Sequence, residues 1–354
     1  MKKKDIFRLA ALAVLLAALL LLEITKTAVP AADSDRKLAA SKQAAACYAS
    51  ICQLKQDRGL EMNETADINK TGMIGLEYSF ITTTIGNLEA KRTATNPNMA
   101  AVVVDMFNEL GLQPGDKIAV NCSGSFPALN IAVMCAAQAM DLDPYLISSF
   151  GASTHGANDP ELTWLDMERH LVQQGLLNHP SDLFSIGGME DVGKEMPREL
   201  IDTIVARLQG FGYELFYDED LLHNIRVRYQ LYRDQGDVKC FINVGGNDAS
   251  FGDSNIMVHT DGGILTKLSE NDNSTGLVQL FLKDSIPVIH LLNMKSLATE
   301  YGLPIDPVPL PEPGEGGVYS EIQYRKEIAV IGLAAAAVLL WLGREEKRKP
   351  DDSK

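Results

Sequence analysis

Apolar residues in this chain fall into a long opening run, a series of short runs separated by polar stretches with helical spacing, and a closing run. Ile6 to Leu22 is apolar except for Arg8 and follows Met1-Lys2-Lys3-Lys4. Ile328 to Leu342 is apolar and precedes Arg344 and Lys347-Arg348-Lys349. Each run is near the short limit for a spanning helix, roughly 17 residues. A cleaved signal peptide also fits the first run, because Ala31-Ala32 lies beyond the leucine-rich stretch. A second span with basic residues on its far side favours a retained anchor, with both termini in the cytoplasm and the middle outside.

Between the runs, the pattern predicts alternating strands and helices. Asp33 to Arg58 has no Pro or Gly and reads as a helix leaving the membrane. The stretch from Asn69 to Asn98 reads as a strand and a shaped loop, carrying Thr82 to Thr84 and the basic pair Lys91-Arg92. Met99 to Leu110 has the helical period, and Gly111 and Pro114-Gly115-Asp116 stop it. Lys117 to Val120 then reads as a strand, Ser123-Gly124-Ser125 as a tight turn, and the apolar residues after it as a helix.

"YLISSFGAS" gives a second strand and completes a β-α-β unit, which implies parallel pairing and a right-handed crossover. Leu162 to Gly175 and Pro197 to Gln209 are amphipathic, and "YELFYDEDLLHNIRVRYQLYRDQ" is a turn and a helix. "KCFINVGGNDASFG" and Pro287 to Leu292 are further apolar runs. Apolar strands delivered into Gly/Ser turns and alternating with helices predict an α/β fold: a doubly wound, mostly parallel sheet with helices on both faces, flanked by N- and C-terminal transmembrane helices. In such sheets ligands sit at the carboxyl ends of the strands. Three ends stand out here: Ser123 to Ser125, Ser148 to Ser153 and Gly245 to Ser250.

The expected organisation is a membrane anchor over residues 1–23, an extracytoplasmic α/β domain over 24–302, a Pro/Gly-rich tether over 303–325, a transmembrane helix over 326–343 and a basic cytoplasmic tail over 344–354. The tether is the proline-rich "LPIDPVPLPEPGEGG".

Composition narrows the function classes. The 354 residues are 46% hydrophobic with a formal charge of −15, which excludes a disordered chain and allows one large core. A nucleic-acid surface needs a basic face, so none is expected; a polyanion would have to bind in a shaped cleft. Cys47, Cys52, Cys122, Cys135 and Cys240 are odd in number, and the last three sit in apolar runs, so a disulfide framework is not expected. Cys47 and Cys52 could pair in principle, but five residues apart on a helix they point away from one another.

The segment "GDKIAVNCSGSFPALNIAVMCAAQAMDLDPYLISSFGAS", together with "GANDPELTWLDME" and "GGMEDVGKEM", resembles the bacterial family of poly-gamma-glutamate system proteins, and the resemblance extends over nearly the whole chain. It implies an association with making, exporting or trimming an anionic glutamate polymer beside the membrane proteins of poly-gamma-glutamate synthesis and export. It carries over no catalytic residues.

Among candidate sites, the turn after the first strand offers Ser123, Gly124, Ser125 and Asn130 as hydroxyl, amide and backbone donors to a carboxylate or phosphate, since first-turn N–H groups of a helix lack intrahelical partners. The alternative is a plain turn in which Ser125 caps the helix. Ser125 is also a candidate nucleophile, although the G-x-S-x-G pattern is absent. His155, in a Gly-flanked loop after a strand end, is a candidate general base. Gly245, Gly246 and Asn247 form a second candidate cradle, with turn formation as the alternative. Lys91 and Arg92 are a local positive spot. Asp166 and His170 are one helical turn apart, yet no metal signature is present and helix-surface charges with an Asp159-Pro160 helix start explain them more simply, so no metal site is assigned.

The expected function is a membrane-anchored accessory component of poly-gamma-glutamate synthesis or export that binds an anionic ligand at a strand-turn-helix site. The alternatives are a hydrolase or transferase acting on the polymer's amide chain, and a non-catalytic scaffold using the small residues Ala334 to Ala337 for helix packing. Whether any cofactor takes part is left open by the sequence.

Overall fold

A computed structural model describes residues 3–252, 262–268 and 274–344. The chain divides into two compact units, one formed by Met1–Ala31 with Ser320–Lys354 and the other by Ala32–Tyr319. In chain order, α1 (Lys3–Thr25) and β1 (Thr27–Pro30) precede α2 (Ser34–Asp57), α3 (Leu88–Ala94) and α4 (Met99–Glu109). The first β-α-β unit is β2 (Lys117–Ser123), α5 (Pro127–Met140) and β3 (Asp143–Ser149). A small hairpin of β4 (Asn158–Asp159) and β5 (Leu162–Thr163) runs into α6 (Trp164–Gln173). β6 (Leu183–Ser185), α7 (Arg198–Gly210), α8 (Leu221–Asp234), β7 (Val238–Val244) and α9 (Asp248–Phe251) follow. After them come β8 (Gly263–Leu265), α10 (Leu277–Lys283), β9 (Val288–Leu291) and α11 (Met294–Glu300), then β10 (Ser320–Gln323) and α12 (Lys326–Leu342).

The large unit is built on a six-stranded sheet in the order β6-β3-β2-β7-β9-β8. All neighbours are parallel except β8, which runs antiparallel to β9 at one edge. The chain lays down β2, builds outward through β3 and β6, then returns to the other side of β2 with β7 and β9. The order therefore reverses between β2 and β7, where a doubly wound sheet opens a crevice at its carboxyl edge.

Alternation along the strands produces two cores. Ile118, Val120 and Cys122 of β2 join a cluster with α4 and α5, including Phe107, Ile131 and Cys135. Ala119 of the same strand joins a second cluster with Phe241, Val288, Tyr232 of α8 and Phe281 of α10. Helices thus cover both faces, as the period-two pattern requires. α5 is apolar on nearly every side because it is buried on nearly every side. Phe241 and Phe281 stack with ring centroids 4.4 Å apart.

The four long apolar runs all become strands. The threonine-rich stretch does not: it is a loop with one bridge, Thr82 to Ala152, and Lys91-Arg92 lies on α3. The proline-rich segment also differs from a free tether. Residues 303–319 belong to the large unit, where their carbonyls accept from buried or half-buried side chains: Lys37 donates to Val318 (2.9 Å), Asn69 to Pro307 (2.9 Å) and Asn98 to Glu312 (3.0 Å).

In the small unit, β1 and β10 pair antiparallel and α1 packs against α12. α1 is long and apolar enough to cross a membrane. It is the one such helix among the described residues; α12 has 17. The expected basic tail beyond Arg344 lies outside the described residues.

Candidate functional site

The three strand ends marked in the sequence converge at the carboxyl edge of the sheet. A cleft of about 810 Å³ lies there, lined by Lys91, Ser125, Ser153, Gly246, Asn247 and Asp248 among others. Beside it a cavity of about 170 Å³ shares Gly246, Asn247 and Asp248 with the cleft and adds Ser123 and Ser149. β2, β3 and β7 each contribute to one crevice.

The turn after β2 does not act as the amide cradle expected of it. The Gly124 N–H donates to the Ser149 carbonyl (3.0 Å), the Ser125 N–H to the Ser123 hydroxyl (3.2 Å) and the Phe126 N–H to the Ser123 carbonyl (3.4 Å). Pro127 opens α5 and has no N–H to give. Asn130 is fully buried and its amide holds the Ser123 carbonyl at 2.9 Å, so it braces the turn instead of facing a ligand. Gly124 is buried among the carbonyls of Phe150 and Gly151. Of this turn, Ser125 reaches the cleft and Ser123 the smaller cavity.

What the cleft does present is a lysine. Lys91 is 3% exposed, and its ammonium donates to the Ser153 hydroxyl at 2.7 Å and to the Ser125 carbonyl. It also sits 3.8 Å from the centre of the Phe126 ring. None of these partners is a carboxylate, so burial acts without a compensating charge and lowers the group from 10.5 to about 7. Its neighbour Arg92 behaves differently, pairing with Asp306 away from the cleft lining.

The loop geometry around Lys91 explains why the threonine-rich stretch must be shaped. Thr83 N–H donates to Ala152 and Thr154 N–H to Thr84, both at 2.9 Å, while Asn158 binds Leu76 and Thr82. This holds Ser153 against α3. Gly86 closes the arrangement: a Cβ there would stand 2.9 Å from Lys91 Cε and 3.0 Å from Ser153 Oγ.

Under the crevice runs a buried polar chain. Arg228 donates to Asp191 and to Asn121 (2.9 Å); Asn121 donates to Ser250 (2.8 Å) and Asn247 (3.1 Å). Ser250 donates to Asn243, whose amide reaches His290 Nδ1 at 3.1 Å. Because Asn243 supplies the proton to Nδ1, the neutral ring carries its own on Nε2. Burial lowers His290 from 6.5 to about 4. Asp191 also accepts from Ser185 and Asn224. Asp248 accepts from the Glu190 N–H at 2.7 Å, and burial raises its carboxyl above the ordinary range, with Asp191 and Glu190 adding to the effect.

Other expected positions are engaged elsewhere. His155 adopts a left-handed backbone and lies outside the cleft lining, with its Nδ1 buried and without a partner among the described residues. Gly245 is also outside the lining, its carbonyl held by Asn243; Gly246 and Asn247 line it. Asp166 caps α6 and pairs with Arg207, whereas His170 meets Ser50, so the two do not form a joint site. All five cysteines are free thiols, and Cys47 faces Cys135 rather than Cys52.

The residues that sequence reasoning missed are Ser153 as the partner of Lys91, Lys295 in the cleft wall, and the Asp191–Arg228–Asn121 chain. Comparison with protein-family models, curated proteins and solved structures finds no match to this chain.

Proposed function

We propose that this chain is a membrane-anchored accessory component of bacterial poly-gamma-glutamate synthesis or export, and that the cleft takes the carboxylate-bearing chain. One observation carries the reading. In a chain of net charge −15, the cleft lining holds, among the described residues, two basic side chains, Lys91 and Lys295, and a single carboxylate, Asp248. The aspartate is itself biased toward its neutral form by burial. Lys295 pairs with Glu89, is half exposed and stands where a ligand carboxylate can exchange with that partner. A confined positive spot in a negative surface admits a polyanion locally and repels it elsewhere.

On this reading α1 and α12 both cross the bilayer and the large unit faces outward. The basic residues Lys2 to Lys4 before α1 and Arg344 with the lysines after α12 support a cytoplasmic position for both termini. The partners are then the membrane proteins of the same synthesis or export system.

Calorimetric titration of the full chain in detergent with gamma-linked glutamate oligomers, against gamma-linked glutamine oligomers of equal length, tests the assignment. Salt-sensitive binding of the acidic oligomer alone is expected, weakened about tenfold by Lys295→Gln through loss of one charge-assisted contact. Equal binding of both oligomers, or of neither, rejects it.

A further inference from the structure

The pairing of Lys91 with Ser153 goes beyond what binding requires. A lysine that served only to attract an anion would do so best exposed and fully charged. This one is buried, has no carboxylate partner among the described residues, and aims its nitrogen at a serine hydroxyl in the wall of a cleft.

From this geometry we infer that Lys91 and Ser153 form a base and nucleophile pair that hydrolyses an amide bond of the chain held in the cleft. The inference rests on the binding assignment above. In its neutral form the amine has one lone pair: it donates to the Ser125 carbonyl, which fixes its position, and accepts the Ser153 O–H. Ser153 is the nucleophile and Ser125 is not, because Lys91 meets the hydroxyl of the first and only the carbonyl of the second. The Ser125 hydroxyl instead accepts the Ser153 N–H at 3.0 Å and helps set that residue's orientation. Only a glycine at position 86 lets the backbone pass this close to the Ser153 hydroxyl and Lys91 Cε without displacing either.

The steps balance without any further reagent than water. Ser153 Oγ attacks the amide carbonyl carbon as its proton passes to Lys91 Nζ. The C–N bond then breaks, and the same proton goes to the leaving nitrogen, giving a free amine and an ester on Ser153. Water attacks that ester, Lys91 takes the water's proton and returns it to Ser153 Oγ, and a carboxylic acid leaves. Serine–lysine pairs perform amide hydrolysis on unrelated folds, and a base half-deprotonated near neutral pH suits both halves of the cycle. Lys295 is left to hold a flanking carboxylate.

The charged groups around Lys91 permit this role. Glu89 on its own helix is paired to Lys295 of α11, Arg92 to Asp306, and Asp248 stands across the cleft holding the Glu190 N–H.

The decisive experiment incubates the full chain in detergent with gamma-linked glutamate oligomers, follows product length by mass spectrometry, and separately treats the protein with a fluorophosphonate. Expected are shortened oligomers, a rate that rises as pH passes through about 7, and a covalent adduct on Ser153. Ser153→Ala should abolish cleavage while calorimetry still registers oligomer binding; Lys91→Arg, which keeps the charge but cannot give up a proton, should lower the rate at least a hundredfold. If the unsubstituted chain binds the acidic oligomer yet leaves it intact, or if the adduct forms on Ser125, the hydrolytic pair is overturned and the binding assignment stands. If it neither binds nor cleaves, both fall. Because the adduct is read on the unsubstituted protein, a variant that fails to fold does not decide the matter.

Discussion

The guanidinium of Arg228 donates to the carboxylate of Asp191 with both side chains essentially removed from water, at 1% and 3% exposure. Arg228 also reaches Asn121 on β2, so one charge on α8 ties the loop after β6 to the strand at the switch point. Taking away one member of such a pair strands the other in a low dielectric, at a cost of about 3–5 kcal/mol. Asp191→Ala should therefore lower the denaturant midpoint strongly. The combined change Asp191→Leu with Arg228→Met, which removes both charges and keeps volume, should recover most of the loss in urea titrations.

Lys91 makes stability depend on alkaline pH. Below about 7 the group is charged in both folded and unfolded chains, and the folded state bears the full cost of burying it. Between about 7 and 10.5 the unfolded chain retains a proton that the folded one has released, so stability rises with pH. Lys91→Met should thus be stabilising near pH 6, by up to a few kcal/mol, and the advantage should shrink toward zero by pH 10. Melting curves of both proteins across this range provide the check.

His290 acts at the other end of the scale. Its folded-state value is depressed from 6.5 to about 4, so the stability of burying it neutral is complete above 6.5 and is lost as pH falls toward 4. Among the described residues, the ring contacts are Asn243 and Phe251, which carry no charge to offset this. His290→Asn should flatten the acid limb by up to about 3 kcal/mol, seen as converging urea midpoints at pH 7 and pH 5.

Gly86 is required by space and not by backbone conformation. Its added Cβ would also meet the Thr154 carbonyl at 2.8 Å, so Gly86→Ala must push either that strap or the Lys91 stem aside. Oligomer binding and any cleavage should both drop at least tenfold, with the melting temperature lowered by only a few degrees, as expected when one rim loop moves and the cores are untouched.

In the small unit, a Cβ on Gly332 would stand 2.6 Å from the Ala18 Cβ. α1 and α12 touch there because neither carries bulk, which is the means by which apolar helices associate in lipid. Gly332→Leu should separate them. Cysteines placed at Ala11 and Leu339, seven residues along each helix from the Ala18–Gly332 contact, should report the separation as loss of oxidative cross-linking when the Gly332 change is added.

Much of the large unit was legible because its signals are local. The runs that become β2, β3 and β7 end in Gly or Ser, and the alternation with helical periods leaves few topologies open, so these strands, β9 and the crevice followed from pattern alone. β6 and β8 have three residues each, too short for a period to register. Lys91 was readable as a positive spot but not as a buried one: its partners Ser125 and Ser153 are 34 and 62 positions away. The turn at Ser123 to Ser125 failed as an amide cradle for a related reason. First-turn donors are free only if nothing nearby accepts from them, and the Ser149 carbonyl, from the neighbouring strand, does.

The proline-rich segment has a consequence for the order in which this protein is made. Lys37, near the start of the large unit, is 1% exposed and depends on Asp105 and on the carbonyl of Val318. Asn98 likewise waits for Glu312 and Gly314. While the ribosome is still adding the end of the domain, Lys37 on α2 and Asn98 at the head of α4 hold polar groups whose last partners have not yet emerged. The domain can gather its sheet early, but it can close only when Tyr319 is out of the exit tunnel, so a truncation within 303–319 should leave a chain that is nearly complete in sequence and still open to proteases.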